Sequence, residues 1–164
     1  VADPDNNQQL PQQFPTEYIP DPDNITRLVD FPRMYEPVRS LIWENVFEFP
    51  GGTGESVNWD KYAPLGPAVH KLGCEREQKK RESRVDFRYA GYVPARTGDV
   101  REIRNARGHG FAVDHVPSEG QHHAEIRYAA AADAMIRKGD KVELKAALKD
   151  KFGPLVAHAC EAGQ

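Results

Sequence analysis

No run of apolar residues in this chain approaches the ~18 that a membrane-crossing helix needs. No charged-then-apolar leader opens it either. Cysteine is scarce: Cys74 and Cys160 are the only two in 164 residues. That excludes a mini-protein built on dense disulfides. It leaves two readings of the pair, one bridge or two buried thiols, because sequence does not give their separation. The signatures HExxH, GxSxG and CxxC are missing. The glycines flanking His109 are not followed by the Lys-Ser/Thr of a phosphate loop. Hydrophobic residues make up 39% of the chain and mean hydropathy is -0.70, enough for one modest core and not two.

Proline and glycine are plentiful, thirteen of each. Five prolines, a Gln/Asn cluster and the pairs Asp3-Pro4 and Asp21-Pro22 crowd the first 22 residues. Proline removes a backbone donor and turns its predecessor away from helix. Residues 1–24 therefore read as a Pro-rich linker or arm, with 1–22 dispensable, and residues 25–164 as one domain. The chain opens on Val1 rather than Met, as expected of a processed product or an excised piece.

Charge is graded along the chain. Residues 1–62 carry a net of -7, residues 70–108 a net of +5 and residues 109–164 a net of -1, within an overall -3. An acidic front before a basic middle suggests that the middle meets an anion or is covered by the front.

The expected elements follow from periodicity. Val38, Leu41, Ile42 and Val46 predict a short helix after Pro37, and residues 50–67 a long loop. A polar helix is expected over 68–81. Val85, Phe87 and Tyr89 alternate with polar residues and predict a strand. Further strands are expected over 100–104 and 111–116, with an exposed turn at His109 between them. Helix formers predict helices over 121–138, from Asp140 onward, and over 155–160. The expected fold class is α+β: a small antiparallel β unit packed with C-terminal helices behind an irregular front.

Five of the six histidines lie after residue 108. The stretch VDHVPSEG, Val113 to Gly120, sets Asp114 and His115 at a strand end before an apolar residue, a proline and a small-residue turn. Carboxylate and imidazole suit zinc and other borderline divalent ions, and a neutral imidazole can take a proton from water.

This stretch resembles the opening of the HNH / endonuclease VII (ββα-metal) nuclease signature. It is most similar to the toxin domains of bacterial polymorphic and type VI-secreted effectors. The resemblance implies a metal-dependent nuclease, preferring DNA with RNA open, that is secreted and delivered into a target cell and countered by a cognate immunity protein. It implies Asp114 as metal ligand and His115 as general base, with a divalent ion, Mg or Zn. The central asparagine of that signature is missing here, the last Asn being Asn105. His122, His123 and His158 compete as the later metal ligand.

Arg96, Arg101, Arg104 and Arg107 approach the motif and are the expected nucleic-acid contacts, since cationic side chains on phosphates give sequence-independent affinity. Two other readings are a metal-dependent hydrolase of another class, such as a peptidase or cell-wall enzyme, and a non-enzymatic extracellular binding module whose histidines are structural.

Overall fold

The structure is a computed structural model and describes residues 13–132 and 134–161. Its centre is a six-stranded sheet, antiparallel at every pairing among the described residues. The strands are β1 (Asn24–Phe31), β4 (Glu55–Trp59), β5 (Arg88–Arg96), β6 (Gly110–His115), β7 (His123–Ala129) and β8 (Val156–Ala157), in the order β6-β7-β4-β1-β5-β8. A separate hairpin pairs β2 (Tyr35–Glu36) with β3 (Leu41–Ile42). Three helices accompany them: α1 (Pro67–Lys80), α2 (Thr97–Arg101) and α3 (Lys138–Lys151). The fold is α+β, as the order of elements predicts.

Alternation along the strands divides the sheet into two faces. Ile25, Val29, Val57, Trp59, Val93, Phe111, Val113 and Ile126 point to one side. There they pack against Leu144 and Leu148 of α3 and against Phe47 and Phe49. On the other side Val69 and Leu72 of α1 cover Leu28 and Tyr92, a smaller cluster. Gly73 lets α1 lie close on the sheet: a Cβ there would stand 2.3 Å from the Tyr89 ring.

Several expected elements are replaced. The helix expected after Pro37 is β3 followed by a 3-10 turn at Glu44–Val46. The loop expected over 50–67 contains β4, a central strand. The strand expected at 100–104 starts inside α2, which ends at Arg101, and keeps only an isolated antiparallel bridge from Arg104 to Gly110, while the helix expected at 155–160 holds the short edge strand β8. The largest change is at 121–138. His123, Glu125 and Arg127 alternate there with Ala124, Ile126 and Tyr128 and form β7, paired on both sides. Pairing on two edges supplies more than the helix propensity of its alanines.

The described part of the N-terminal arm is packed on the body. Ile19 is 1% exposed. The Arg101 guanidinium holds the arm through the Ile19 carbonyl at 2.5 Å and the Asp21 carboxylate at 2.8 Å.

Candidate functional site: the β6–β7 turn and strand β4

The VDHVPSEG stretch is a hairpin connection. β6 ends at His115, a 3-10 turn spans Pro117–Glu119, Gly120 takes φ +136°, and the chain returns as β7. The motif is thus followed by a strand and not by the helix of a ββα unit.

Alternation sends His115 and Asp114 to opposite faces. His115 is 3% exposed and packs edge-on to Trp59, with ring centroids 5.1 Å apart. Its Nδ1 accepts the Glu17 N–H at 3.0 Å, and its Nε2 donates to the Gln121 carbonyl at 2.7 Å. Both ring nitrogens are engaged, so no lone pair faces a water or a metal ion. Asp114 is exposed and stands opposite Glu125 across the ladder.

His122 is partly buried, and burial lowers its imidazole pKa, with His123 adding to the shift. His123 is 6% exposed on the face opposite His115. Its Nδ1 donates to the Val116 carbonyl at 2.7 Å. That leaves Nε2 as the acceptor, 2.9 Å from the Ser56 hydroxyl. The Glu119 carboxylate lies 3.4 Å from the same Nε2, where it can balance an imidazolium. Hydroxyl, imidazole and a backbone carbonyl that fixes the tautomer form a nucleophile–base–orienter line.

Ser56 has no sequence signal. It stands 67 residues from His123 and reaches it only because β4 pairs with β7, Ser56 opposite Glu125 and Asn58 opposite His123. Arg27 fixes its main chain by donating to the Ser56 carbonyl at 2.9 Å. A small cavity of about 50 Å³ opens beside it, lined in part by Asn58, Arg27 and Arg76. Arg27 is already committed to Glu55 at 2.9 Å and to the Val46 carbonyl. Arg76, exposed on α1, makes no ion pair among the described residues; its guanidinium lies over the Phe87 ring, 5.7 Å from the centroid, and it is the cation at this cavity without a carboxylate partner.

The four arginines expected to bind nucleic acid are dispersed in role. Arg96 is exposed. Arg101 holds the arm and also donates to the Val113 carbonyl at 2.8 Å. Arg104 turns back onto the carbonyls of Arg101 and Ile103. Arg107 lies 3.7 Å from Asp140. His109 is fully buried, correcting the exposed turn expected there. Its Nδ1 accepts the Ala131 N–H at 3.0 Å, and its Nε2, without a hydrogen-bond partner, is 3.8 Å from Asp140. Asp140 accepts the Arg137 N–H and the Asn105 amide, and so ties the start of α3 to the turn before β6.

Metal-ligating side chains converge elsewhere. Among the described residues, one group of three His, Cys, Asp or Glu has donor atoms all within 4.8 Å of one another: Cys74, His158 and Cys160. Asp114, His122 and His123 are not part of it. Cys74 and Cys160 are joined in a disulfide, with Cα atoms 5.6 Å apart, which settles the two readings of the pair. His158 thus lies with α1 and the C-terminal tail. No helix among the described residues is long and apolar enough to cross a membrane.

Comparison of the chain with protein-family models, with curated proteins and with solved structures returns no match to any of the three.

Proposed function

We propose that the chain is a phosphodiester hydrolase, acting on nucleic acid, in which Ser56 is the nucleophile and His123 the general base. The observation that carries this reading is the line from Ser56 Oγ through the His123 ring to the Val116 carbonyl, at 2.9 and 2.7 Å. The substrate class comes from the resemblance of VDHVPSEG, with the base moved from His115 to His123. Arg76, which lines the same cavity as Ser56 and has no carboxylate partner among the described residues, supports an anionic substrate.

In this reading His123 Nε2 takes the Ser56 hydroxyl proton as Oγ attacks phosphorus. The leaving oxygen then receives that proton from Nε2, giving an alcohol and a diester in which Ser56 Oγ carries the phosphate of the remaining strand. Water hydrolyses the Ser56–phosphate bond by the reverse path, releasing that strand as a phosphate monoester: Nε2 takes a water proton and returns it to Ser56 Oγ. Glu119 offsets the imidazolium charge in both halves, and Arg76 with Asn58 faces the charge that builds on the phosphoryl oxygens. The divalent ion, Mg or Zn, that the resemblance implies finds no group of three donors at Asp114, His122 and His123 among the described residues, and no step of this hydrolysis runs through it. The reading includes export, since disulfides persist in oxidising compartments. A nuclease delivered into competitors also requires an immunity partner in its producer.

A second reading, an extracellular binding module, is favoured by one observation: both nitrogens of His115 are consumed by the chain itself. A fluorophosphonate probe tests between them. Stoichiometric labelling of Ser56, lost in His123→Ala, is expected of the hydrolase. A folded chain that is never labelled and cleaves no nucleic acid supports the module.

A further inference from the structure

We infer that Cys74, His158 and Cys160 form a zinc site that the Cys74–Cys160 disulfide closes and a dithiol reductant opens. The donor atoms of the three residues already lie within 4.8 Å of one another. Tetrahedral zinc, with Zn–S near 2.3 Å and Zn–N near 2.0 Å, sets neighbouring donors roughly 3.5 Å apart. Side-chain rotation of about an ångström therefore suffices once the sulfurs are released. Cys74 sits on α1 and Cys160 in the tail beyond β8, so the ion would hold the tail where the disulfide holds it now.

The surroundings suit such a site. The His158 ring is stacked on His70 at 4.2 Å, nearly parallel. His70 Nδ1 and the Tyr89 hydroxyl share a hydrogen bond at 2.9 Å, so His70 is fixed in place and orients His158 without serving as a ligand. The three ligands form part of the wall of a cavity of about 970 Å³, which gives an ion an entry path and leaves a fourth position for water.

The chemistry balances in two steps. A dithiol transfers two electrons and two protons to the disulfide, leaving two cysteine thiols and an oxidised dithiol. Zinc then binds both sulfurs as thiolates with the neutral His158 imidazole, releasing two protons. The site is independent of the Ser56–His123 pair, so it stands or falls apart from the proposed hydrolysis.

The test uses the whole chain, reduced with a dithiol that is then removed without oxygen, and titrated with Co²⁺ followed by Zn²⁺. The reduced protein is expected to show the visible bands of tetrahedral cobalt with a thiolate charge-transfer band, saturating at one equivalent and displaced by zinc. The oxidised protein and Cys74→Ser/Cys160→Ser should show neither. His158→Ala should weaken binding beyond the ~10–100-fold that loss of an outer partner costs, and His70→Ala within that range. Circular dichroism controls for folding: if reduction loosens the chain, zinc should restore it and a chelator reverse the change. Absence of a thiolate–cobalt band in the reduced chain, or binding by His158→Ala as tight as the parent's, overturns the inference.

Discussion

Arg101 donates from its guanidinium to the main-chain carbonyl of Ile19 at 2.5 Å, and the same group bonds the Val113 carbonyl of β6. The N-terminal arm is thereby fastened to the strand that carries His115. Glu17 adds a backbone N–H to His115 and an ion pair to Lys61 at 2.5 Å.

Removal of residues 1–22 should therefore cost stability. It exposes the site of the buried Ile19, worth ~2 kcal/mol, leaves His115 Nδ1 without its Glu17 donor and takes the Ile19 and Asp21 acceptors from Arg101, worth at least ~1 kcal/mol more. At roughly 2–4 °C per kcal/mol for a chain of this size, Tm should fall by about 10 °C. A fall below ~5 °C in a thermal scan would restore the linker reading.

His115→Ala should act on folding before anything else. It empties a space beside Trp59 and orphans the Glu17 N–H and the Gln121 carbonyl. Cavity and lost hydrogen bonds together predict a loss of ~2–4 kcal/mol in urea unfolding. A variant of unchanged stability but abolished activity would return the general-base role to His115.

Gly73→Ala should be among the most damaging single methyl additions. The new Cβ would stand 2.3 Å from the Tyr89 ring, which is itself buried under α1. Overpacking of this kind costs about 1–3 kcal/mol or more. The urea midpoint reads it directly, and an unchanged midpoint would mean that α1 rides higher on the sheet.

The reach of the sequence can be judged from these same residues. α1 is legible because nothing between Ala68 and Arg81 interrupts a helix except Gly73, and that glycine is demanded by Tyr89. β6 is legible because Phe111, Val113 and His115 keep a period of two. β7 is hidden by its alanines, since local propensity favours a helix that two-sided pairing overrules. β4 is five residues between glycine- and proline-rich turns, too short for a periodic signal. Asp114 and His115 were visible as a motif, but their use depends on which face each side chain takes and on what the arm brings to His115. Ser56 could not be found from sequence, because only long-range strand pairing sets it against His123.

Asp140 should make the fold sensitive to acid. The Arg137 N–H that it accepts, together with Arg107 and Asn105, holds its carboxyl below the ordinary 3.8. A carboxyl depressed on folding contributes stability above its unfolded pKa and loses it as pH falls through the folded one. The parent should therefore lose stability relative to Asp140→Asn as pH falls from about 5 towards 2, with the parent the more stable at neutral pH. Urea midpoints across that series check it, and a difference constant with pH would remove Asp140 from the account.

The proposed hydrolysis turns on Ser56 and His123 as the reacting pair. The most direct measurement is the cleavage rate of plasmid DNA and of a chromogenic phosphodiester by the parent, Ser56→Ala and His123→Ala, each verified as folded, with and without EDTA. The parent should cleave, and each substitution should lower the rate by at least ~10², the low end for a lost general base. Ser56→Ala should keep the parent's Tm, since its side chain is exposed. A folded Ser56→Ala protein that cleaves as fast as the parent would contradict the account.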